Sequence, residues 1–242
     1  MMLTGQVFAV MSGTATPRQV EEIAGSADRY LYRREIGGYR LNTDFHELKF
    51  DMGRMFGFAY GEKENGAVLS HMAVMYANAL YRRGFAREGW KALSSLADTA
   101  LDFETSKIYP GIPEYFRADG RGMYHYLTGA ASWYLLTMVT EVFGVHGELG
   151  DLVIAPKIMG SQFDASGRAS LTFLFAGKQF CLTIVNTTGQ DYGAYGIAKA
   201  YVQDTAQRRL LPVTVLDGKA IISLEEIREL PPDRNEIILE LM

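Results

Sequence analysis

Between Tyr126 and Phe143 the chain reads YLTGAASWYLLTMVTEVF, a run with apolar or small residues on every helical face and almost no charge. A helix that is apolar all round has to be enclosed by other elements. The run is too short and too interrupted by Gly, Ser and Thr to cross a bilayer, which takes about 20 predominantly apolar residues. The pattern therefore predicts a core helix surrounded by other helices. The preceding stretch is turn-forming, with Pro110, Gly111, Pro113 and then Asp119-Gly120-Arg121-Gly122. The helix is thus entered through a glycine-rich loop, with Thr128-Gly129 in its first turn. Backbone N–H groups lack partners there, and an anion is welcome.

Composition removes several classes of function. The 242 residues fit one large or two small domains. With 48% hydrophobic and 21% charged residues the chain has an ordinary globular make-up. A net charge of −4 argues against a nucleic-acid partner, which calls for a basic stripe. The single cysteine, Cys181, leaves no internal disulfide and fits a reducing compartment. The opening MMLTGQVFAVMSG lacks the basic start of a secretory signal, so a cytoplasmic location and no membrane partner are expected. Fourteen Tyr and thirteen Phe suit either a sugar-binding cleft or a well-filled core, and composition alone leaves both open.

In chain order, Thr16-Pro17-Arg18-Gln19 reads as a helix start, with Thr16 as N-cap and Gln19 completing a capping box. Val20, Ile23, Ala27, Tyr30 and Leu31 follow at helical spacing, up to Gly37-Gly38. An irregular stretch from 37 to 61 comes next, and one so long is usually functional. A second helix is expected to open at 62–66, capped by Asn65 or Gly66, and to run to Arg83 with a stripe of Val68, Met72, Met75 and Ala79. A third spans Ala86 to about Phe103. After Gly147 the period becomes strand-like, in runs near 171–175, 179–185, 198–202, 213–216, 220–223 and 236–241. Turn signals at Gly177, Gly189 and Asp217-Gly218 separate them. The pattern predicts helices over 1–147 and an antiparallel β-sandwich over 148–242.

No self-contained catalytic signature is present, and the four histidines (His46, His71, His125, His146) are too scattered for a metal cluster. Two helix starts remain, at Lys63–His71 and at Tyr126–Thr128, each following a Gly-rich loop. N–H groups, a hydroxyl, an imidazole and a positive helix end together suit a phosphate dianion. Each charge-assisted hydrogen bond contributes about 1.5–3 kcal/mol. Taken alone, His71 reads more readily as a hydrogen-bonded core histidine than as a ligand.

Three segments carry a resemblance. GRGMYHYLTGAASWYLLTMVTEVFGVHGELGDLVIAPKI (120–158), YPGIPEYF (109–116) and KENGAVLSHM (63–72) resemble the C-terminal stretch of the inverting disaccharide and oligosaccharide phosphorylases of glycoside hydrolase family 94. The resemblance implies an α+β multidomain fold, with the last helices of an (α/α)6 barrel followed by a C-terminal β-sandwich. It implies phosphate binding by His71, Thr128 and Gly129, and acceptor-sugar contacts by Lys63 and Glu64. It implies phosphorolysis of β-linked gluco-oligosaccharides to α-glucose 1-phosphate with inversion. The co-substrate is inorganic phosphate, with no other cofactor and no metal. RLNTDF…DMGRMFGFAYGEKENG is most similar to the branch acting on β-1,2-linked glucose oligomers. In that family one aspartate is the general acid and phosphate attacks from the opposite face, which is inverting glycosidase logic with phosphate in place of water. By this resemblance the general acid belongs to a region preceding Met1, so no catalytic residue is assigned. Asp44 and Asp51 lie in the long loop but do not match the acid's motif. Two other readings stand beside this one: a non-catalytic carbohydrate-binding module, and an oligomerisation module forming a homodimer.

Overall fold

The structure is a computed structural model describing residues 1–109, 111–125, 129–204 and 209–242, and it mixes helices with sheets. The chain forms two compact units, Met1–Thr137 and Met138–Met242.

The first unit opens with helix α1 (Leu3–Met11), which buries Leu3, Val7 and Val10 at helical spacing. Helix α2 (Pro17–Tyr30) starts as its sequence dictates: Thr16 Oγ1 accepts from the Gln19 N–H, and Gln19 Oε1 accepts from the Thr16 N–H. It ends well short of Gly37, because Tyr32–Arg33 (β1) turn back to pair with Gly38–Tyr39 (β2). Gly37 allows that turn. It has φ +95°, and a Cβ there would stand 2.8 Å from the Phe116 ring.

Helix α3 (Ser70–Arg82) is the centre of this unit, packed against α1, α4 (Ala86–Leu101) and α6 (Gly129–Thr137). Every residue from Tyr76 to Tyr81 is buried. Of the expected stripe Val68 and Ala79 are buried, whereas Met72 and Met75 are only half-buried and Ala73, Val74 and Ala77 lie inside in their place. At its far end the Arg83 guanidinium donates to the carbonyls of Val10 (3.2 Å) and Ala15 (2.7 Å), placing a cation beside the C-terminal end of α1. Asn78 Nδ2 donates to Thr137 Oγ1 at 3.1 Å and ties α3 to α6 through a buried polar pair.

The helix expected to open at 62–66 begins instead at Ser70. Val68–Leu69 (β3) is drawn into a three-stranded sheet with Tyr115–Phe116 (β4) and Gly122–Met123 (β5), and the Ser70 N–H donates to the Glu114 carbonyl. A short helix α5 (Phe103–Ser106) lies in the chain between α4 and β4. The 37–61 stretch is also less irregular than expected, since Phe50–Gly57 forms 3₁₀ turns bent at Gly53.

The apolar helix departs from its expectation too. Its described part, α6, buries Ala130 and Thr137, but Leu135 is 67% and Leu136 47% exposed. Within this chain one of its faces is uncovered.

In the second unit a π-turn (Met138–Val142) leads into β6 (Val145–Glu148) and β7 (Asp151–Ile154). The strands β8 (Arg168–Phe175), β9 (Lys178–Val185), β10 (Ile197–Asp204), β11 (Arg209–Pro212), β12 (Thr214–Leu216), β13 (Lys219–Ile222) and β14 (Asn235–Leu241) follow. A helix α7 (Leu224–Glu229) is capped by Ser223 and Glu226. One sheet has the order β11-β10-β14-β9-β8 and the other β12-β13-β7-β6. Phe180, Leu182, Ile184, Ile237 and Leu239 alternate inward and supply much of the core. The expectation of antiparallel pairing throughout needs one correction, because β14 runs parallel to β9.

Candidate functional site

A buried asparagine organises the loop before α3. Asn42, wholly inaccessible, accepts from the Gly66 N–H (2.8 Å) and donates to Asn65 Oδ1 (3.1 Å). Asn65 in turn donates to the Phe58 carbonyl at 2.9 Å. Gly66 sits at φ +81° under the Tyr60 ring, which a Cβ would meet at 2.3 Å. Asn65 and Gly66 therefore hold a loop and do not cap a helix.

That loop presents Lys63 and Glu64. Lys63 has φ +46°, and its ammonium lies 5.0 Å from the Phe58 ring centroid and 5.1 Å from that of Tyr124. Aromatic faces on both sides favour the cation and fix its position. Glu64 Oε1 lies 3.0 Å from Arg54 Nη2, while its Oε2 is enclosed and has no hydrogen-bond partner among the described residues. The Arg54 guanidinium also sits 5.4 Å from the Phe58 ring, so that ring carries two cations. Tyr115 links this cluster to α3. Its phenol is pushed up to about 12, mainly by burial and then by the Glu64 and Glu114 carboxylates. Its ring stands 6.3 Å from that of Tyr124, and Leu69 and Met72 pack beside it.

His71 is the second residue of α3. Its ring meets Trp133 of α6 edge-to-face at 5.5 Å. Burial holds its pKa below the ordinary histidine value, so the neutral form prevails near neutrality, with one N–H to give. Its Nε2 is enclosed and has no partner among the described residues, and the same is true of the neighbouring Ser70 Oγ. Gly129 begins α6, where a Cβ would lie 2.7 Å from His71 Cε1 and 2.8 Å from Nδ1. Only a glycine lets the backbone come so close. His71 and Gly129, predicted from two distant segments, are thus in contact. Thr128 lies outside the described residues.

The loop aspartates play local parts: Asp44 Oδ1 accepts from the His46 N–H, and Asp51 is exposed in the 3₁₀ segment. Arg54, Phe58, Tyr124 and Trp133 were not singled out from sequence, because they gather only through the fold. Among the described residues, no three His, Cys, Asp or Glu side chains group as metal ligands, and no helix is long and apolar enough to cross a membrane.

The helical unit of this α+β chain thus sets an imidazole against a glycine helix start, and a lysine beside two aromatic rings. Residues 1–144 match the profile of the glycosyl hydrolase 94 superfamily catalytic domain, and the chain belongs to that family. It is similar to cellobionic acid phosphorylase of Neurospora crassa, 25% identical over 173 residues, covering 66% of this chain and 22% of the relative. It is also similar to solabiose phosphorylase of Paenibacillus borealis, 26% identical over 200 residues, covering 79% of this chain and 25% of the relative. The chain thus spans about a quarter of the length of these curated relatives.

Proposed function

We propose that this chain supplies the phosphate side and part of the acceptor-sugar side of a β-glucoside phosphorylase, which cleaves β-linked gluco-oligosaccharides with inorganic phosphate to α-glucose 1-phosphate, with inversion. The observation that carries the reading is the His71 ring packed against the Gly129 start of α6, its enclosed Nε2 without a partner among the described residues. A neutral imidazole can donate one hydrogen bond to a phosphate oxygen, and the positive end of α6 adds to the attraction. Thr128 is proposed to contribute its hydroxyl. The Lys63 ammonium and the Glu64 carboxylate, each held by neighbours, suit the hydroxyls of an acceptor sugar.

The general acid and the donor-sugar subsite are proposed to lie in the remainder of a longer phosphorylase. The relatives, whose names give them as phosphorylases, are about four times as long as the matched segment. Unit one would then be the last helices of an (α/α)6 barrel and unit two a β-sandwich, consistent with helices packed around α3 and with sheets of five and four strands. The likeness of the 40–66 loop to the β-1,2-glucan branch supports β-1,2-linked oligomers as substrate.

Positioned acid catalysis contributes about 10²–10⁴-fold. The purified chain, given phosphate and β-1,2- or β-1,4-linked glucose oligomers, is therefore expected to release no α-glucose 1-phosphate. In a complete phosphorylase carrying this segment, His71→Ala should raise the KM for phosphate and Lys63→Ala that for the acceptor. Sustained release by the chain alone, abolished by His71→Ala, would overturn the partial-site reading and make Asp44, Asp51 and Glu64 the first acid candidates. An unchanged phosphate KM in His71→Ala would overturn the anion site.

A further inference from the structure

The second unit contains a pocket of about 270 Å³ that the phosphorylase reading does not use. One wall is aromatic. Tyr195 is locked in place, its hydroxyl accepting from the Ile158 N–H (2.8 Å) and donating to the Ile158 carbonyl (3.0 Å). Burial raises its pKa, so it stays a neutral donor. The Tyr192 ring stands 6.2 Å away with its plane turned by 73°, and the two half-buried rings form a corner.

A two-residue turn also lines the pocket. Leu216 pairs with Lys219, and Asp217 (φ +50°) and Gly218 (φ +74°) connect them. Such a turn needs left-handed backbone at both positions and favours Asp-Gly. It brings Asp217 and Lys219 into the pocket lining, and because the Lys219 ammonium reaches toward Glu148 (4.0 Å), outside that lining, Lys219 offers the pocket its stem. The floor includes Lys157, whose ammonium is already bound to Glu141 at 2.9 Å, so it offers the pocket its aliphatic stem.

These features select among ligands. A phosphate-bearing ligand would meet the Asp217 carboxylate. A purely apolar one would desolvate Asp217 without compensation. The volume lies just under the lower bound, roughly 300 Å³, of pockets for drug-sized molecules, which leaves room for one small ring. A pyranose matches: its C–H face can lie on an aromatic ring, and its hydroxyls can donate to the Asp217 carboxylate. We propose that this pocket is a second saccharide site, in the β-rich unit, binding one neutral hexopyranose. The inference rests on the pocket's own chemistry and stands apart from the assignment of the first unit.

The test titrates methyl β-D-glucopyranoside into the full chain carrying ¹³C-labelled tyrosine rings, with Tyr192 and Tyr195 signals assigned through Tyr→Phe variants. Both signals should shift together and saturably. Tyr192→Ala should weaken the binding read at Tyr195 about tenfold. Asp217→Asn keeps the turn, since Asn tolerates positive φ, and should weaken binding about threefold through its poorer acceptor. Lys63→Ala should leave these shifts intact. Absence of shifts at Tyr192 and Tyr195 would overturn the proposal. So would full affinity in Asp217→Asn together with Tyr192→Ala, or loss of the shifts in Lys63→Ala.

Discussion

A Cβ on Gly129 would stand 2.7 Å from Cε1 of His71, nearer than carbon atoms approach without displacement. The start of α6 and the first turn of α3 therefore fix each other. Gly129→Ala should push the imidazole toward solvent and lift its pKa back toward the ordinary value of about 6.5. Trp133, 5.5 Å from that ring, can report this. In a Trp90→Phe background, its fluorescence should titrate below the ordinary histidine range, move upward in Gly129→Ala and lose the transition in His71→Gln. An unmoved transition in Gly129→Ala would mean that the ring is not held by this contact.

Asn42 holds the loop that carries Lys63 and Glu64, and its removal leaves the Gly66 N–H and Asn65 Oδ1 without their buried partner. At about 1–3 kcal/mol for each of these two orphaned groups, Asn42→Ala should cost the first unit roughly 2–6 kcal/mol. Both tryptophans, Trp90 and Trp133, lie in that unit. Urea unfolding followed by their fluorescence isolates the effect, and a loss well under 1 kcal/mol would show that the loop does not depend on Asn42.

What the sequence made legible follows from how local each cause is. The Thr16–Gln19 capping box, the Asp217-Gly218 turn signal and the β-type run at 179–185 act within a few residues, and all three stand as read. The start of α3 was misread because a helical pattern through Val68 yields to a strand partner nearly fifty residues on, at Phe116. The parallel pairing of β14 with β9 has no local signature, since turn residues report only hairpins. His71 and Gly129 were found as separate positions, whereas Arg54, Phe58, Tyr124 and Trp133 were not, because a loop arginine or a core aromatic looks the same anywhere until the fold gathers it.

Leu135 at 67% and Leu136 at 47% exposure leave α6 with an apolar face open to water. Leu101 and Tyr109 in the same unit are 72% and 76% exposed. Apolar patches beyond a few hundred Å² are rare on monomers. The isolated chain is expected to self-associate with rising concentration, and Leu135→Glu with Leu136→Lys should reduce it. A monodisperse monomer by light scattering across the accessible concentration range would contradict this.

The pH dependence of stability offers a test of His71 that needs no turnover. Burial lowers its pKa in the folded chain, so the unfolded chain binds its proton more readily. Stability then rises with pH across the interval between the two values. The contribution is fully present above the unfolded value of about 6.5, falls as pH drops toward the lowered folded value and is constant below it. Carboxylates impose their own slope at lower pH, so the informative quantity is the wild-type urea midpoint minus that of His71→Gln. That difference should decline as pH falls from about 7.5 through the ordinary histidine value toward the lowered folded pKa. A bound phosphate dianion favours the imidazolium and raises the folded pKa, so inorganic phosphate should flatten the decline. If His71→Gln kept the wild-type slope, the imidazole would not be held neutral by burial. If phosphate stabilised both proteins equally and left the slope unchanged, the anion would be binding elsewhere, and His71 with Gly129 would be a packing contact alone.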